Sequence, residues 1–361
     1  MRDWSVPGVA IAIVKDDAVV HARGYGVLQH GRTERVDADT LFAIGSCTKA
    51  FTATALAILV EEKRLEWDQP VVGYMPQFHL ADPYATRNAT VRDLLLNRSG
   101  APGIAGGEVA LYAKTKTSEE LLEQIAALPG WPFRHRFDYS NGMYLAAGEL
   151  IPAVTGKSYH HFIRERLFTP LGMTRSTTRS AELSDRTNVA VPHRISGNVS
   201  RVVAPFNVDH LAPAGSISSS ASEIARWLRL QLAGGRIGSR SLLSPTSVAQ
   251  THEPAAVIPR DALWTTSFPA ADILTWAMGW TVYTYRGSRI VEHVGIGGGM
   301  HAAVGLIPAH GLGVAILTNA GYPENQLPAA LRYRIYDSYL ADESRQLLHR
   351  PRSADNVVPV N

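Results

Sequence analysis

An antiparallel β-sheet assembled from both ends of the chain, covered by helices and interrupted by an inserted helical domain, is the α/β (α+β) architecture that the sequence predicts. Three observations predict it. Apolar and polar residues alternate across residues 6–28, helical signals fill residues 66–215, and from Trp276 onward the period returns to two. Strands at both ends with helices between them close most simply as one sheet with an insertion. The expected organisation is an α/β domain from 1–65 and 212–348, a helical domain from 66–211 and a polar tail from 349–361. A functional cleft is expected between the two domains.

The elements follow in order. "VPGVAIAIVKDDAVVHARGYGVL" reads as a hairpin of two half-buried strands around an Asp-Asp turn. From Thr48 to Arg64 apolar residues occupy almost every face, the pattern of a helix buried in the protein interior. "TVRDLLLNRSG" is a short capped helix ended by glycine, and "TSEELLEQIAAL" opens with a Ser/Thr cap and an acidic first turn. "YLAAGELIPAVTG" and "HHFIRERLFTPLGM" continue the helical signal, and "SASEIARWLRLQLAGG" has a Ser-x-x-Glu start and a Gly-Gly end. "MGWTVYTYRGSRIVEHVG" and "GMHAAVGLIPAHGLGVAILTNAG" then read as consecutive antiparallel strands joined at Arg-Gly-Ser and His-Gly turns. "PAALRYRIYDSYLADESRQLL" is a final helix.

Composition narrows the function. At 361 residues, 45% hydrophobic and 19% charged, the chain can bury a full core without help from disulfides. Its 35 Lys and Arg against 32 Asp and Glu are scattered, with no basic stripe interleaved with aromatics, so no nucleic-acid partner is expected. The lone Cys47 has no partner for a disulfide or a zinc site, and reads as a small buried hydrophobe. No stretch approaches the roughly 20 apolar residues that cross a bilayer. The N-terminus lacks a signal-peptide core, which leaves cytoplasm, or periplasm after removal of a leader, both open. Oligomeric state is not legible.

The chemistry starts at "LFAIGSCTKAFTATALAIL". Ser46 and Lys49 lie three residues apart, so on a helix they share a face. A hydroxyl at a helix N-terminus sits in positive potential, and a lysine whose charge is disfavoured by burial can take its proton. Taken alone, the pair reads more simply as a helix cap and a solvated lysine. "DYSNG" supplies the chain's only Tyr-x-Asn, at Tyr139 and Asn141, a phenol and an amide that can reach one site from a loop. Tyr139 is a candidate proton shuttle, particularly as phenolate, and Asn141 a candidate to hold Lys49 and the substrate. By itself the tripeptide reads more simply as a turn before a helix. In "VEHVGIGGGM", His293 and Gly295 end a strand where glycine permits close approach. The N–H groups of Ile296 and Ser46 would then be two donors for an oxyanion. His160-His161 lacks a third ligand at usual spacing, no phosphate loop and no Gly-x-Ser-x-Gly occurs, and no metal or cofactor is expected.

Ser46-Cys47-Thr48-Lys49, Tyr139-Ser140-Asn141 and His293-Val294-Gly295, in that order, resemble the class C β-lactamase-related serine hydrolases. Segments such as "VPGVAIAIV", "TVRDLLLNRSG", "PAGSISSSASEIARWL" and "GLGVAILTNAG" extend the resemblance over nearly the whole chain. The resemblance implies a β-lactamase/transpeptidase-like fold and a Ser46 acyl-enzyme. It implies catalysis by Ser46, Lys49 and Tyr139, substrate binding by Asn141, His293 and Gly295, and an oxyanion hole at Ser46 and Ile296. One departure matters: no Lys-Thr-Gly occurs, and His293-Val294-Gly295 stands in its place, as in D-aminopeptidase-like and carboxylesterase-like members. Histidine is a poor carboxylate-binding charge at neutral pH. The expected substrates are small molecules or short peptides, namely esters, amides or D-residue-containing peptides, with weak or no β-lactam hydrolysis. A β-lactamase or D,D-carboxypeptidase proper, an acyltransferase, and a non-catalytic binder of cell-wall peptides or β-lactams remain alternatives. Substrate choice is expected to reside in loops around residues 98–118 and 252–275.

Overall fold

The structure is a computed structural model and describes residues 1–112, 117–197, 199–205, 207–259 and 267–349. The expected polar tail beyond residue 349 and parts of the two expected specificity loops lie outside the described residues.

Eight strands form one antiparallel sheet. They are β1 (Gly8–Lys15), β2 (Ala18–Gly26), β3 (Ala256–Val257), β4 (Thr275–Trp276), β5 (Thr281–Tyr285), β6 (Ser288–Gly297), β7 (Met300–Ile307) and β8 (Leu312–Thr318). Their spatial order is β2-β1-β8-β7-β6-β5-β4-β3. The two ends of the chain meet where β1 pairs with β8, with Val9 opposite Thr318 and Lys15 opposite Leu312. The β1–β2 turn puts Asp16 and Asp17 at φ of 50° and 64°, the left-handed pair that a tight hairpin requires and that Asp tolerates. Arg286 and Gly287 do the same between β5 and β6, at 46° and 78°.

Helix α1 (Thr48–Glu61) is buried without a break from Thr48 to Leu59, as its all-round apolar sequence predicts. It stops at Glu61, short of the expected Arg64, because Lys63 turns left-handed at φ 59°. Helix α2 (Val91–Leu95) opens with a capping box between Thr90 and Asp93, and ends at a left-handed Asn97 rather than at the glycine. Helices α3 (Ser118–Ala127), α4 (Asn141–Thr155) and α5 (Ala221–Leu232) take their N-caps from Thr117, Ser140 and Ser220. The 160–173 run is helical but broken by a π-turn over Arg164–Phe168.

The sheet is flanked on both faces. Leu228 of α5 packs on Gly313, while the hydroxyl of Tyr336 in the last helix, α6 (Leu327–His349), packs on Gly305 of the opposite face. Behind β6, Glu292 lies 3.0 Å from Arg332 in a fully buried ion pair. Tyr283 and Tyr336 donate to the same carboxylate at 2.7 and 2.8 Å. Two features were not expected from the sequence. A hairpin of His193–Ser196 and Val199–Val202 interrupts the helical middle, and β3 and β4 extend the sheet edge with two residues each, too short to leave a period.

Candidate active site

Ser46 does not cap α1. It sits in a single 3-10 turn, Gly45–Cys47, that leads directly into the helix, and its side chain is only partly buried. This turn crosses the end of β6 at backbone contact. A Cβ on Gly295 would lie 1.8 Å from the Ile44 carbonyl oxygen, and one on Gly45 would lie 3.1 Å from the Ile296 nitrogen. Both glycines therefore exist to let the Ser46 turn lie against the strand.

Lys49, one helical turn on, is wholly buried. Its Nζ lies 3.2 Å from Ser46 Oγ, 2.6 Å from Asn141 Oδ1 and 2.8 Å from the Ala214 carbonyl. Burial pulls the amine down to about 7, against the attraction of the Glu108 carboxylate. A neutral amine has two N–H groups and one lone pair. The two carbonyl-type oxygens take the N–H groups, which leaves the lone pair for the Ser46 hydroxyl. In that neutral form the amine can accept a proton from Ser46.

Tyr139 closes the other side. Its hydroxyl hydrogen-bonds Ser46, its ring lies 4.7 Å from Lys49 Nζ, and Trp276 packs edge-on against it at 5.4 Å. Burial pushes the phenol well above its usual value. The phenolate expected from sequence is therefore not the resting form, and Tyr139 enters any proton relay as a neutral hydroxyl. Asn141 is not on a loop as expected but is the first residue of α4, behind the Ser140 cap.

Two residues that sequence reasoning missed complete the cluster. Glu108 is fully buried, and its carboxylate accepts from Ser140 Oγ at 2.7 Å, Asn141 N at 2.7 Å and Gly142 N at 3.2 Å. It thus satisfies the N-terminus of α4. Burial raises its carboxyl, while these donors and Tyr112 oppose the rise. Tyr112, one turn further on the short helix Val109–Tyr112, donates its hydroxyl to Glu108 and accepts from Asn141 Nδ2 at 2.8 Å. Glu108, Tyr112, Asn141, Lys49 and Ser46 thus form one hydrogen-bonded chain. The only sequence signal was an acid and a phenol four apart in "GGEVALY", with nothing to tie them to Asn141.

His293 does not take the place the sequence suggested. It is buried, with Nδ1 2.6 Å from the Val294 carbonyl and no partner for Nε2 among the described residues. Trp276 packs edge-on against it at 5.2 Å and the Tyr139 ring lies at 6.3 Å. Burial pulls it down to about 3, aided by Lys49, so it is neutral, and it is not among the described residues that line the cleft. Cys47 is equally internal, its thiol donating to the His293 carbonyl at 3.3 Å and pushed up to about 12 by burial.

The cleft in front of Ser46 has a volume of about 830 Å³, and Gly45, Ser46, Tyr112, Asn141, Ile296 and Met300 are among its lining residues. Among the described residues no group of three or more His, Cys, Asp and Glu converges, and no helix is long and apolar enough to cross a membrane.

Comparison with known proteins finds relatives that match most of the chain. The unguisins hydrolase ungD of Aspergillus violaceofuscus is 30% identical over 358 residues, covering 94% of this chain and 63% of its own. The chain thus spans under two thirds of the length of that relative. Penicillin-binding protein 4 of Amycolatopsis lactamdurans is 30% identical over 88% of this chain and 81% of its own. Among solved structures, the octameric penicillin-binding protein homologue from Pyrococcus abyssi superposes with a TM-score of 0.78 at 27% identity, over 92% of this chain and 74% of its own. Residues 1–337 match the family described as Beta-lactamase. The chain belongs to this Beta-lactamase family.

Proposed function

We propose that the chain hydrolyses esters, amides or D-residue-containing peptides by two-step acyl transfer to water. The hydrogen bonding of Lys49 carries this reading: two fixed acceptors and a lowered proton affinity aim its lone pair at Ser46 Oγ. Ser46 attacks the acyl carbonyl and gives its proton to Lys49. Tyr139, hydrogen-bonded to Ser46, gives its proton to the leaving group and regains one from Lys49, which restores both groups, and water activated by the same pair then releases the acyl group. The N–H of Ser46, in a first turn with no intrahelical acceptor, and that of Ile296 at the crossing with β6 are the two donors for the oxyanion. Similarity to a hydrolase of unguisins and to a penicillin-binding protein supports acyl chemistry. The neutral His293 supplies no cation where the family's Lys-Thr-Gly would, which weighs against efficient β-lactam hydrolysis.

The test is intact-protein mass spectrometry after a fluorophosphonate probe, together with turnover of p-nitrophenyl acetate. A single adduct on Ser46 and loss of both signals in Ser46→Ala are expected. An unlabelled protein, or turnover that survives Ser46→Ala, would refute the reading.

A further inference from the structure

None of the described residues lining the cleft is an Asp, Glu, Lys, Arg or His. The polar groups there are Ser46, Tyr112, Asn141 and several serines, while Ile104, Val189, Val191, Val208, Leu211 and Met300 supply apolar wall. The ionisable groups behind this lining already hold partners: Lys49 and Glu108 are buried and hydrogen-bonded, and the Asp209 carboxylate accepts from the N and Oγ of the lining Ser180 at 2.6 Å each.

We infer that the cleft selects acyl donors that are uncharged and apolar around the scissile carbonyl, such as medium-chain esters or internal amides. Donors bearing a free carboxylate or ammonium on the acyl chain that enters the cleft are selected against. The inference rests on the acyl-enzyme reading above and narrows its substrate class.

Two physical effects lead to it. A charge carried into this cleft leaves water and meets no counter-charge among the described lining residues, so its desolvation is not repaid by them. A carboxylate would do further harm, because it would stabilise the ammonium form of Lys49 just as Glu108 does, and so remove the base that Ser46 needs. A neutral donor leaves that base as it is. Apolar length, by contrast, gains from burial, with an expected rise in kcat/KM of about fourfold per methylene until the cleft is filled. A neighbouring pocket shares Ile296, Gly297 and Gly298 with the cleft and does carry charge, from Arg194 and Glu324. Charged donors would have to be read there if they are read at all.

The test uses three p-nitrophenyl esters of matched acyl length at pH 8: the hexanoate, the monoester of adipate with a free terminal carboxylate, and the methyl ester of that adipate. The free carboxylate is expected to lower kcat/KM by roughly 30-fold, with the methyl ester close to the hexanoate. Val109 lines the cleft and is 50% exposed, so Val109→Lys adds a cation to its wall without disturbing the core. This variant should raise the ratio of carboxylate to hexanoate turnover at least about fivefold. Val208→Lys, from the opposite part of the chain, makes the same prediction if the first variant misfolds. Equal turnover of adipate monoester and hexanoate, an equal loss with the neutral methyl ester, or an unchanged ratio in folded lysine variants would each overturn the inference. Adipate turnover that collapses in Arg194→Ala would move recognition to the neighbouring pocket and overturn it as well. Absence of any Ser46-dependent turnover would instead defeat the parent reading.

Discussion

Gly295→Ala adds one methyl group where the Ser46 turn crosses β6. The new Cβ would sit 1.8 Å from the Ile44 carbonyl oxygen, 2.7 Å from the Ile44 carbonyl carbon and 3.3 Å from Ser46 N. Moving from 1.8 Å to an ordinary 3.4 Å contact requires a shift of about 1.6 Å between strand and turn. Neither side can yield through a rotamer, because both are backbone. The shift parts Ser46 N from Ile296 N and moves Ser46 Oγ away from Lys49 and Tyr139. Misplacement by about 1 Å costs on the order of 100-fold in rate, so kcat/KM should fall by at least about that factor. The stability cost of overpacking is smaller, about 1–3 kcal/mol, and the protein should still fold. Steady-state turnover of p-nitrophenyl acetate and the rate of Ser46 labelling by a fluorophosphonate measure the effect, with circular dichroism as the control for folding. A folded Gly295→Ala protein within about threefold of wild type on both rates would refute the view that this crossing sets the site geometry.

The other expectations concern charge. Lys49 must be neutral to accept a proton, and its value of about 7 places the acid limb of kcat/KM there, with the rate falling as pH drops below it. A profile flat down to pH 5.5 would exclude Lys49 as the base. Glu108 raises the proton affinity of Lys49, so Glu108→Gln should move that limb to lower pH while also slowing turnover through Asn141. A purely structural role would slow the enzyme without moving the limb. On the far face of the sheet, Arg332→Met strands the buried Glu292 carboxylate without its cation. This should cost about 3–5 kcal/mol in denaturant unfolding, part of it restored by Glu292→Gln, and a loss below about 1 kcal/mol would show that the pair is dispensable.

Much of this site was legible because its members are local pairs. Ser46 and Lys49 are one helical turn apart, and Tyr139 and Asn141 straddle one cap, so short spacings in the chain became short distances in space. The sheet was equally readable, since period-two strands at both ends have few other ways to close. What escaped detection depends on contacts that no spacing records. Glu108 matters because α4 presents three donors to it, more than thirty residues away in the chain. The enclosure of His293 escaped for the same reason: a histidine looks polar in a sequence, yet Trp276 and Tyr139 pack against this one. Gly295 was singled out correctly as a point of close approach, but the backbone that approaches it belongs to Ile44.

The closure of the sheet between β1 and β8 also bears on the order in which the site can be assembled. Ser46 leans on β6, and β6 is held in register by β7 and β8, which lock onto β1 across some three hundred residues of intervening chain. Pairings of such long range are reached late, after the entropic cost of closing the loop has been met. During synthesis Ser46 therefore emerges early, and the proposed mechanism predicts that it stays inert until β7 and β8 form to brace β6. An abbreviated product that stops before β8 would carry Ser46 and Lys49 and still lack a working centre.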